Sequence, residues 1–302
     1  MAHFLWGASG WLISTGLWVW VLRRYDRLEP EPLKVLLRVG LLGGILSIIP
    51  AIISNKLIDH FFGLTSFIAD PSRQVSMAMA LTSAVFIGLN EETWKFLATL
   101  RLVRRLPEFD EPIDGMIYAM TVALGFAALE NIEYMVGYGT GVLVTRSLMS
   151  VPIHLACAAI WGYGLARARF ISKHKRYFTT ALPYLLAGAA VHAAFDFFIF
   201  LRTWTIFLDF PLLLFVVWYS NRKLHYLRKQ YLFIKGNICQ HCQTTNKDEA
   251  KFCIHCGLPL GDGGGEFFQI CGKCHVRVPR NANFCFKCGN KLPEMKEEEE
   301  HP

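Results

Sequence analysis

Residues 74–100 read QVSMAMALTSAVFIGLNEETWKFLATL, a stretch that is long and apolar enough to cross a bilayer. A transmembrane helix needs about 20 mostly apolar residues to cross about 30 Å of hydrocarbon. This stretch nevertheless carries Glu91, Glu92 and Lys95. Charged side chains inside a span are costly, so their presence predicts a functional site within the membrane.

The composition of the whole chain is that of a multi-span membrane protein. Its 302 residues are 53% hydrophobic and 18% charged, whereas a soluble domain is about 45–50% apolar and about 25% charged. These values exclude a disordered chain, a secreted disulfide scaffold and an ordinary cytosolic enzyme. We predict an all-α polytopic protein with about seven transmembrane helices, at 4–22, 33–53, 74–100, 113–136, 147–169, 179–201 and 204–220.

Lysine and arginine residues predict the orientation of these spans. They are concentrated after the first, third, fifth and seventh spans and are scarce in the opposite loops. Because cytoplasmic loops hold the excess of basic residues, we expect the N-terminus outside, the C-terminus in the cytoplasm and the protein in the cytoplasmic membrane. The formal charge of +7 is explained by basic clusters that face anionic lipid, which argues against a nucleic-acid partner.

The C-terminal part contains a cysteine repeat with a period of 32 residues. Each unit has two CxxC pairs, which can supply four thiolates to a tetrahedral Zn²⁺ ion. A reducing cytosol disfavours one alternative, disulfides, and iron is a minor alternative to zinc. We predict two structural zinc ions, held by Cys239, Cys242, Cys253 and Cys256 and by Cys271, Cys274, Cys285 and Cys288. The pattern resembles the double zinc ribbon family, and such a unit is suited to docking a cytoplasmic protein partner.

These patterns predict four domains. Residues 1–234 form a transmembrane domain, 235–260 a first zinc ribbon, 266–293 a second ribbon, and 294–302 an acidic tail. The glycine that follows the last cysteine of each ribbon, Gly257 or Gly289, suits a tight turn.

Later spans carry further ionisable groups: Glu130 and Glu133 in the fourth span, His154 in the fifth, and His192 and Asp196 in the sixth. Glu91 and Lys95 are four residues apart, so they share a helix face and can neutralise each other. His192 and Asp196 have the same spacing, which lets the carboxylate orient the imidazole and set its tautomer. A carboxylate beside a histidine is suited to activating water.

Two other residues close to these groups in the sequence, Glu133 and Cys157, are interpreted without a catalytic role. Glu133 lies close to the predicted outer interface, so we interpret it as structural or solvated. Cys157 follows His154 by three residues, which is compatible with a Cys/His nucleophile, but we interpret it as a small packing residue.

The depths of these groups in the membrane do not agree. At about 1.5 Å per residue, the predicted bounds put Glu91 nearer the cytoplasmic side and both Glu130 and His154 nearer the outside. Tilted helices, or a helix broken near Gly88–Asn90, would be needed to bring them together.

The order and spacing of these motifs resemble a known family. The chain is similar to PrsW-type intramembrane proteases, within a wider group that includes CAAX-prenyl-processing membrane proteases. The resemblance covers about 1–220 and rests on Glu91-Glu92-x-x-Lys95, Phe126-x-x-x-Glu130-Asn131, His154 and His192-x-x-x-Asp196. It implies hydrolysis of peptide bonds in or next to the bilayer, in a membrane-protein substrate such as an anti-sigma factor.

The resemblance also implies roles for these residues. In a glutamic mechanism, Glu91 or Glu92 polarises water with help from His154 or Glu130. His192, held by Asp196, then stabilises the oxyanion, while Lys95 and Asn131 support the site. In a metal variant, Glu130, His154 and His192 bind Zn²⁺ and Glu91 or Glu92 is the base. The glutamic version is favoured because the chain has no HExxH-like pair of ligands on one helix.

Two other functions would also use these features. An ion- or proton-coupled transporter places carboxylates and histidines within its spans, but it predicts inverted repeats or paired broken helices. A membrane-anchored scaffold or sensor would act through its zinc ribbons, and its intramembrane polar residues would only pack.

Overall fold

A computed structural model gives the fold of the chain. It describes residues 2–25, 30–64, 75–171 and 177–235 and, further on, 237–239, 242, 244–246, 255, 268–274, 277–279, 285 and 288–292. The chain divides into two compact units, Met1–His225 and Tyr226–Pro302. We call the first the membrane body and the second the C-terminal unit.

The described part of the membrane body is helical, as predicted. The α-helices are α1 (Ala2–Tyr25), α2 (Leu33–Phe62), α3 (Met77–Val103), α4 (Asp114–Tyr138), α5 (Val142–Thr145), α6 (Val151–Ala166), α7 (Tyr177–Phe200) and α8 (Asp209–Lys235). Two π-helical turns, Arg146–Ser150 and Arg167–Ile171, flank α6, and a 3-10 turn, Trp204–Leu208, precedes α8.

Within the described residues, five helical segments are long and apolar enough to cross a membrane. They are Leu33–Phe62, Asp114–Tyr138, Val142–Ile171, Tyr177–Phe200 and Trp204–Arg228. The other two predicted spans correspond to α1 and α3, which are helices of 24 and 27 residues. The chain is therefore a helical membrane protein with five spans supported by length and hydropathy.

The centre of the membrane body is the contact between α4 and α6. Every residue of α6 is buried. A Cβ atom at Gly162 would lie 2.6 Å from the carbonyl oxygen of Gly115, so the two helices touch backbone to backbone, as small residues allow in membranes. Cys157 is buried in this region among Ile153, Phe195 and Leu213, which confirms its interpretation as a packing residue.

Helix α3 packs tightly between α2 and α7. A Cβ atom at Gly88 would lie 2.8 Å from the carbonyl oxygen of Ala189 in α7. On the α2 side, the Asn90 side-chain amide donates to the Ala51 carbonyl and the Asn55 side chain. These contacts fix the turn of α3 that precedes Glu91.

The predicted bounds place Glu91 nearer one side of the membrane, but the observed bounds of α3 do not. Helix α3 runs without interruption from Met77 to Val103, so Asn90 is its middle residue and Glu91 lies near its centre. The alternative of a helix broken near Gly88–Asn90 is therefore wrong. Gly88 allows α3 to pack closely against α7 and does not break the helix.

The described residues of the C-terminal unit contain two short antiparallel hairpins. Strand β1 (Asn237–Ile238) pairs with β2 (Thr245–Asn246), and β3 (Phe268–Ile270) pairs with β4 (Arg277–Pro279). Gly289 has a φ of +67°, a left-handed conformation that favours glycine. This confirms the tight turn predicted at that position.

Candidate active site

Four helices of the membrane body bring the predicted site residues together. Glu91, Glu92 and Lys95 come from α3, Glu130 from α4, His154 from α6, and His192 and Asp196 from α7. Charged groups in a membrane interior are stable only when they are paired or face a cavity. The contacts of each group therefore show whether it is already paired or can still interact with a bound molecule.

Lys95 is the central cation of the cluster and is fully buried. Its ammonium lies 2.9 Å from Glu92 Oε1, 3.2 Å from Glu91 Oε2 and 2.9 Å from His154 Nδ1. An ammonium can only donate, so all three atoms accept from it. It also lies 4.1 Å from the centre of the Phe126 ring. The predicted contact of Lys95 with Glu91 is present, and Lys95 additionally links Glu92 and His154.

Glu92 is fully buried and uses both carboxylate oxygens. Oε1 accepts from Lys95 and from His192 Nδ1, each at 2.9 Å. Oε2 accepts from the indole nitrogen of Trp161, also at 2.9 Å. The sequence predicts that Asp196 orients His192, but Asp196 Oδ2 lies 3.7 Å from His192 Nε2. Glu92 is the carboxylate within hydrogen-bond distance of this imidazole, because the turn of α3 that carries it faces the ring.

Glu91 differs from its neighbour in having a carboxylate that borders a cavity. Its Oε2 lies 3.8 Å from His192 Nε2. Asp196 Oδ2 lies 3.7 Å from that same nitrogen. His192 Nε2 is therefore too far from either carboxylate for a direct hydrogen bond, and all three groups border the cavity. Of the two adjacent glutamates, Glu91 is the one with access to a reactant.

His154 is held from both sides. Nδ1 accepts from Lys95, so the ring proton is on Nε2, which donates to Glu130 Oε2 at 2.9 Å. Glu130 Oε2 also pairs with the Arg146 guanidinium at 2.8 Å. Arg146 Nε donates to Asn131 Oδ1 at 2.7 Å. This chain of contacts fixes the tautomer and the ring orientation of His154.

Arg146 and Trp161 were not among the predicted site residues. Arg146 stacks on the Tyr134 ring, with its guanidinium carbon 3.7 Å from the ring centre. A lone arginine in a loop that is predicted to be outside and is otherwise poor in charge could have pointed to a buried partner such as Glu130. For Trp161 the sequence holds no comparable signal, because a tryptophan in an apolar span is ordinary.

A cavity of about 950 Å³ leads to Glu91, His154 and His192. Residues near the C-terminal ends of α2, α4 and α7 line its far side, among them His60, Tyr138 and Phe200. The exposed residue Glu133 also borders it, as expected for a solvated side chain. The cavity is large enough for several residues of an extended peptide.

The donor set of the site can also be tested against a metal ion. One ligand atom each from Glu91, His154 and His192 lies within 4.8 Å of the others. The metal variant predicted above used Glu130 in place of Glu91, but Glu130 is engaged by His154 and Arg146. Two imidazoles and a carboxylate suit zinc, and Glu92 on His192 Nδ1 resembles the outer carboxylate of many metal sites. The residue types therefore fit a divalent cation, but both nitrogens of His154 are already bonded, to Lys95 and to Glu130.

The second predicted zinc site is assembled in the C-terminal unit. Atoms Sγ of Cys271 and Cys288 are 3.6 Å apart, and those of Cys274 and Cys285 are 3.5 Å apart. All four lie within 4.8 Å of one another. Hydrogen bonds from the backbone of Cys274 and Lys273 lower the pKa of the Cys271 thiol to about 6, which favours the thiolate that binds metal.

The first predicted zinc site is described only in part. Cys239 is buried, and its backbone nitrogen donates to the Thr244 carbonyl at 3.0 Å. Cys285, which corresponds to Cys253 in the repeat, makes a bond of the same spacing to the Asn290 carbonyl at 2.8 Å. Cys253 and Cys256 lie outside the described residues.

Comparison with known proteins finds a family match for each part of the chain, the membrane body and the C-terminal unit. Residues 31–220 match the family described as PrsW family intramembrane metalloprotease. Residues 239–289 match the double zinc ribbon family. No solved structure matches the chain.

Three bacterial relatives, each called Protease PrsW, are similar to the membrane body. The protein of Geobacillus kaustophilus is 33% identical over 54% of this chain and 68% of its own length. That of Bacillus subtilis is 30% identical over 66% of this chain and 84% of its own length. That of Clostridioides difficile is 30% identical over 62% and 76%, respectively. The chain thus belongs to the PrsW family of intramembrane proteases and carries a double zinc ribbon after its protease region.

Proposed function

We propose that this chain hydrolyses peptide bonds of membrane-protein substrates with a water molecule activated by Glu91. The observation that carries the proposal is the contrast between two adjacent glutamates. Glu92 is saturated by Lys95, His192 and Trp161, whereas Glu91 borders the cavity and faces His192 across 3.8 Å.

In this mechanism Glu91 acts as general base and then as general acid. It accepts a proton from water while the water oxygen attacks the carbonyl carbon of the scissile bond. When the C–N bond breaks, Glu91 returns the proton to the leaving amine. His192, doubly protonated and bound to Glu92 through Nδ1, donates from Nε2 to the carbonyl oxygen as negative charge develops there. No covalent acyl-enzyme is formed.

Lys95 and His154 hold this arrangement in place. Lys95 compensates the charge of the glutamate pair at 2.9 and 3.2 Å. His154 fixes Lys95 through Nδ1 and is itself fixed by Glu130 and Arg146. Such preorganisation matters because a small misplacement of a catalytic group lowers the rate substantially.

A metal-dependent form of the same hydrolysis is the second candidate, favoured by the cluster of Glu91, His154 and His192 within 4.8 Å. These three side chains would hold the ion. When bound, a divalent cation would supply Lewis-acid polarisation of the carbonyl group. The glutamic form is preferred because the Lys95 ammonium already lies 2.9 Å from His154 Nδ1 and 3.2 Å from Glu91 Oε2, where a second cation would be repelled.

We further propose seven spans, with the N-terminus outside and the C-terminal unit in the cytoplasm. The distribution of basic residues supports this orientation. In it, the ends of α2, α4 and α7 that line the far side of the cavity face outwards. A single-span protein of the cytoplasmic membrane, such as an anti-sigma factor, could then enter the cavity with the segment just outside its span.

For the C-terminal unit we propose two structural zinc ions and a docking surface for a cytoplasmic protein. Four cysteines complete the coordination of each ion, so no position is left for a reactant. The proposed domains are the membrane protease at 1–234, the ribbons at 235–260 and 266–293, and the acidic tail at 294–302.

The test of this function is the substitution Glu91→Gln. It keeps the shape of the side chain and removes the base, so cleavage of a co-expressed single-span substrate should fall by about 10²–10⁴-fold. Glu133→Gln is the matched control, because it removes a carboxylate from the same cavity at an exposed position. Cleavage that survives Glu91→Gln at the control's level would refute the mechanism.

A further inference from the structure

Asp209 is a buried carboxylate that the proposed chemistry does not use. It begins α8 and is 1% exposed. Neither of its side-chain oxygens has a hydrogen-bond partner among the residues that the structure describes. The start of a helix stabilises negative charge only in part. A carboxylate in this position is costly unless a cation or donor binds it, so Asp209 is suited to receive one from outside the chain.

Asp209 borders the same cavity as Glu91. Asp196, which lies beside His192, borders this cavity too, and its negative charge repels that of Asp209. The two carboxylates therefore extend the site from the reacting centre toward the N-terminal end of α8. A molecule bound at Asp209 would be adjacent to the place where the proposed hydrolysis occurs.

The described lining of the cavity has more acidic than basic residues. The acidic residues are Asp59, Glu91, Glu130, Glu133, Asp196 and Asp209, and the basic ones, apart from histidine, are Lys56 and Arg146. Arg146 is already engaged by Glu130, Asn131 and the Tyr134 ring. Glu91 and Glu130 are engaged by Lys95 and Arg146. Asp209 is therefore the buried carboxylate of this lining whose two oxygens lack a hydrogen-bond partner among the described residues, and it gives a positive charge a specific partner.

We propose that Asp209, together with Asp196, forms a substrate subsite for a lysine or arginine side chain near the scissile bond; this subsite rests on the proposed peptidase function. A basic side chain matches the site because its long apolar stem can lie along the apolar wall, which includes Ile206 and Phe200. Its charged head can then make charge-assisted hydrogen bonds to Asp209.

The test uses binding, so that it does not depend on cleavage. The probes are two synthetic single-span peptides of leucine and alanine that differ only at one position in the outer flank, which is lysine in one and glutamine in the other. The full-length protein in bilayer nanodiscs should bind the lysine peptide at least about 10-fold more tightly, since loss of one partner of a buried charge pair typically costs this much or more. Equal binding of the two peptides by the unmodified protein would overturn the proposal without any variant.

Two variants locate the preference. Asp209→Asn should bind both peptides equally, whereas Glu133→Gln, which removes an exposed charge from the same cavity, should keep the preference for lysine. A preference that persists in Asp209→Asn would show that general acidity of the cavity causes it and would overturn the subsite. Cleavage is scored separately: absence of hydrolysis with an intact lysine preference would reject the peptidase function but not the binding site.

Discussion

The two polar centres of this chain are built in different ways. In the C-terminal unit, Cys271, Cys274, Cys285 and Cys288 come from one short segment and converge within 4.8 Å. In the membrane body, Glu91, His154 and His192 converge to the same distance from three different helices. If the first centre binds zinc as proposed, the ion holds a small fold together. The second is held by helix packing and by the Lys95 ammonium, so it exists as a preorganised site.

Removal of zinc should have the most different effects on the structures of the two centres. Chelation should unfold the C-terminal unit, because metal binding supplies about 10–16 kcal/mol of folding free energy in small zinc domains. The membrane body should keep its structure. Hydrogen exchange measured by mass spectrometry would show lost protection in 237–292 and unchanged protection in α3, α4, α6 and α7. Loss of protection around Glu91 on chelation would contradict the proposed independence of the body from metal.

Substitution Glu92→Gln should destabilise the membrane body itself. The change leaves Lys95 with one carboxylate partner and breaks a fully buried ion pair of 2.9 Å. Removal of one partner of such a pair costs about 3 kcal/mol or more. Thermal unfolding in detergent should show this loss, whereas Glu91→Gln should cost less because Glu91 borders the cavity. Equal destabilisation by both variants would argue against distinct roles for the two glutamates.

Arg146 should have the smallest effect, because it acts on His154 only through Glu130. Arg146→Gln removes the 2.8 Å ion pair with Glu130 and should lower kcat about 10-fold, in the range seen for residues that orient a primary ligand. KM should change little. Arg146→Lys restores the charge and should recover part of the rate. A change in KM alone would instead indicate that Arg146 contacts the substrate.

The zinc ribbons could be predicted from the sequence in detail because their information is local. The CxxC spacing and the period of 32 residues predict the ligands, of which Cys271, Cys274, Cys285 and Cys288 lie together. The glycine at 289 identifies a turn whose φ is +67°. The membrane helices could be predicted for a similar reason, since length and hydropathy are properties of one segment. Helix ends were less accurate: α2 ends at Phe62, beyond the predicted limit of 53.

The geometry of the membrane site could be predicted only in part. The residue types and their order identified Glu91, His154 and His192 as candidates. The partner of His192 could not be inferred correctly, because spacing along α7 favours Asp196 while packing against α3 brings Glu92 to 2.9 Å. Asp209 was missed although it is a charged residue within the predicted span 204–220, because the sequence does not show that its carboxylate is buried without a described hydrogen-bond partner. Contacts between helices depend on how the helices pack, which a single sequence does not reveal.

The most direct test of the account is the number of metal ions bound by the intact, full-length protein. If Lys95 and the surrounding carboxylates form a metal-free hydrolytic site, elemental analysis should find two zinc ions per chain, both in the C-terminal unit. Glu91→Gln and His192→Ala should leave that number unchanged while cleavage is lost. A third ion that disappears in both variants would contradict the glutamic mechanism and establish the metal-dependent one.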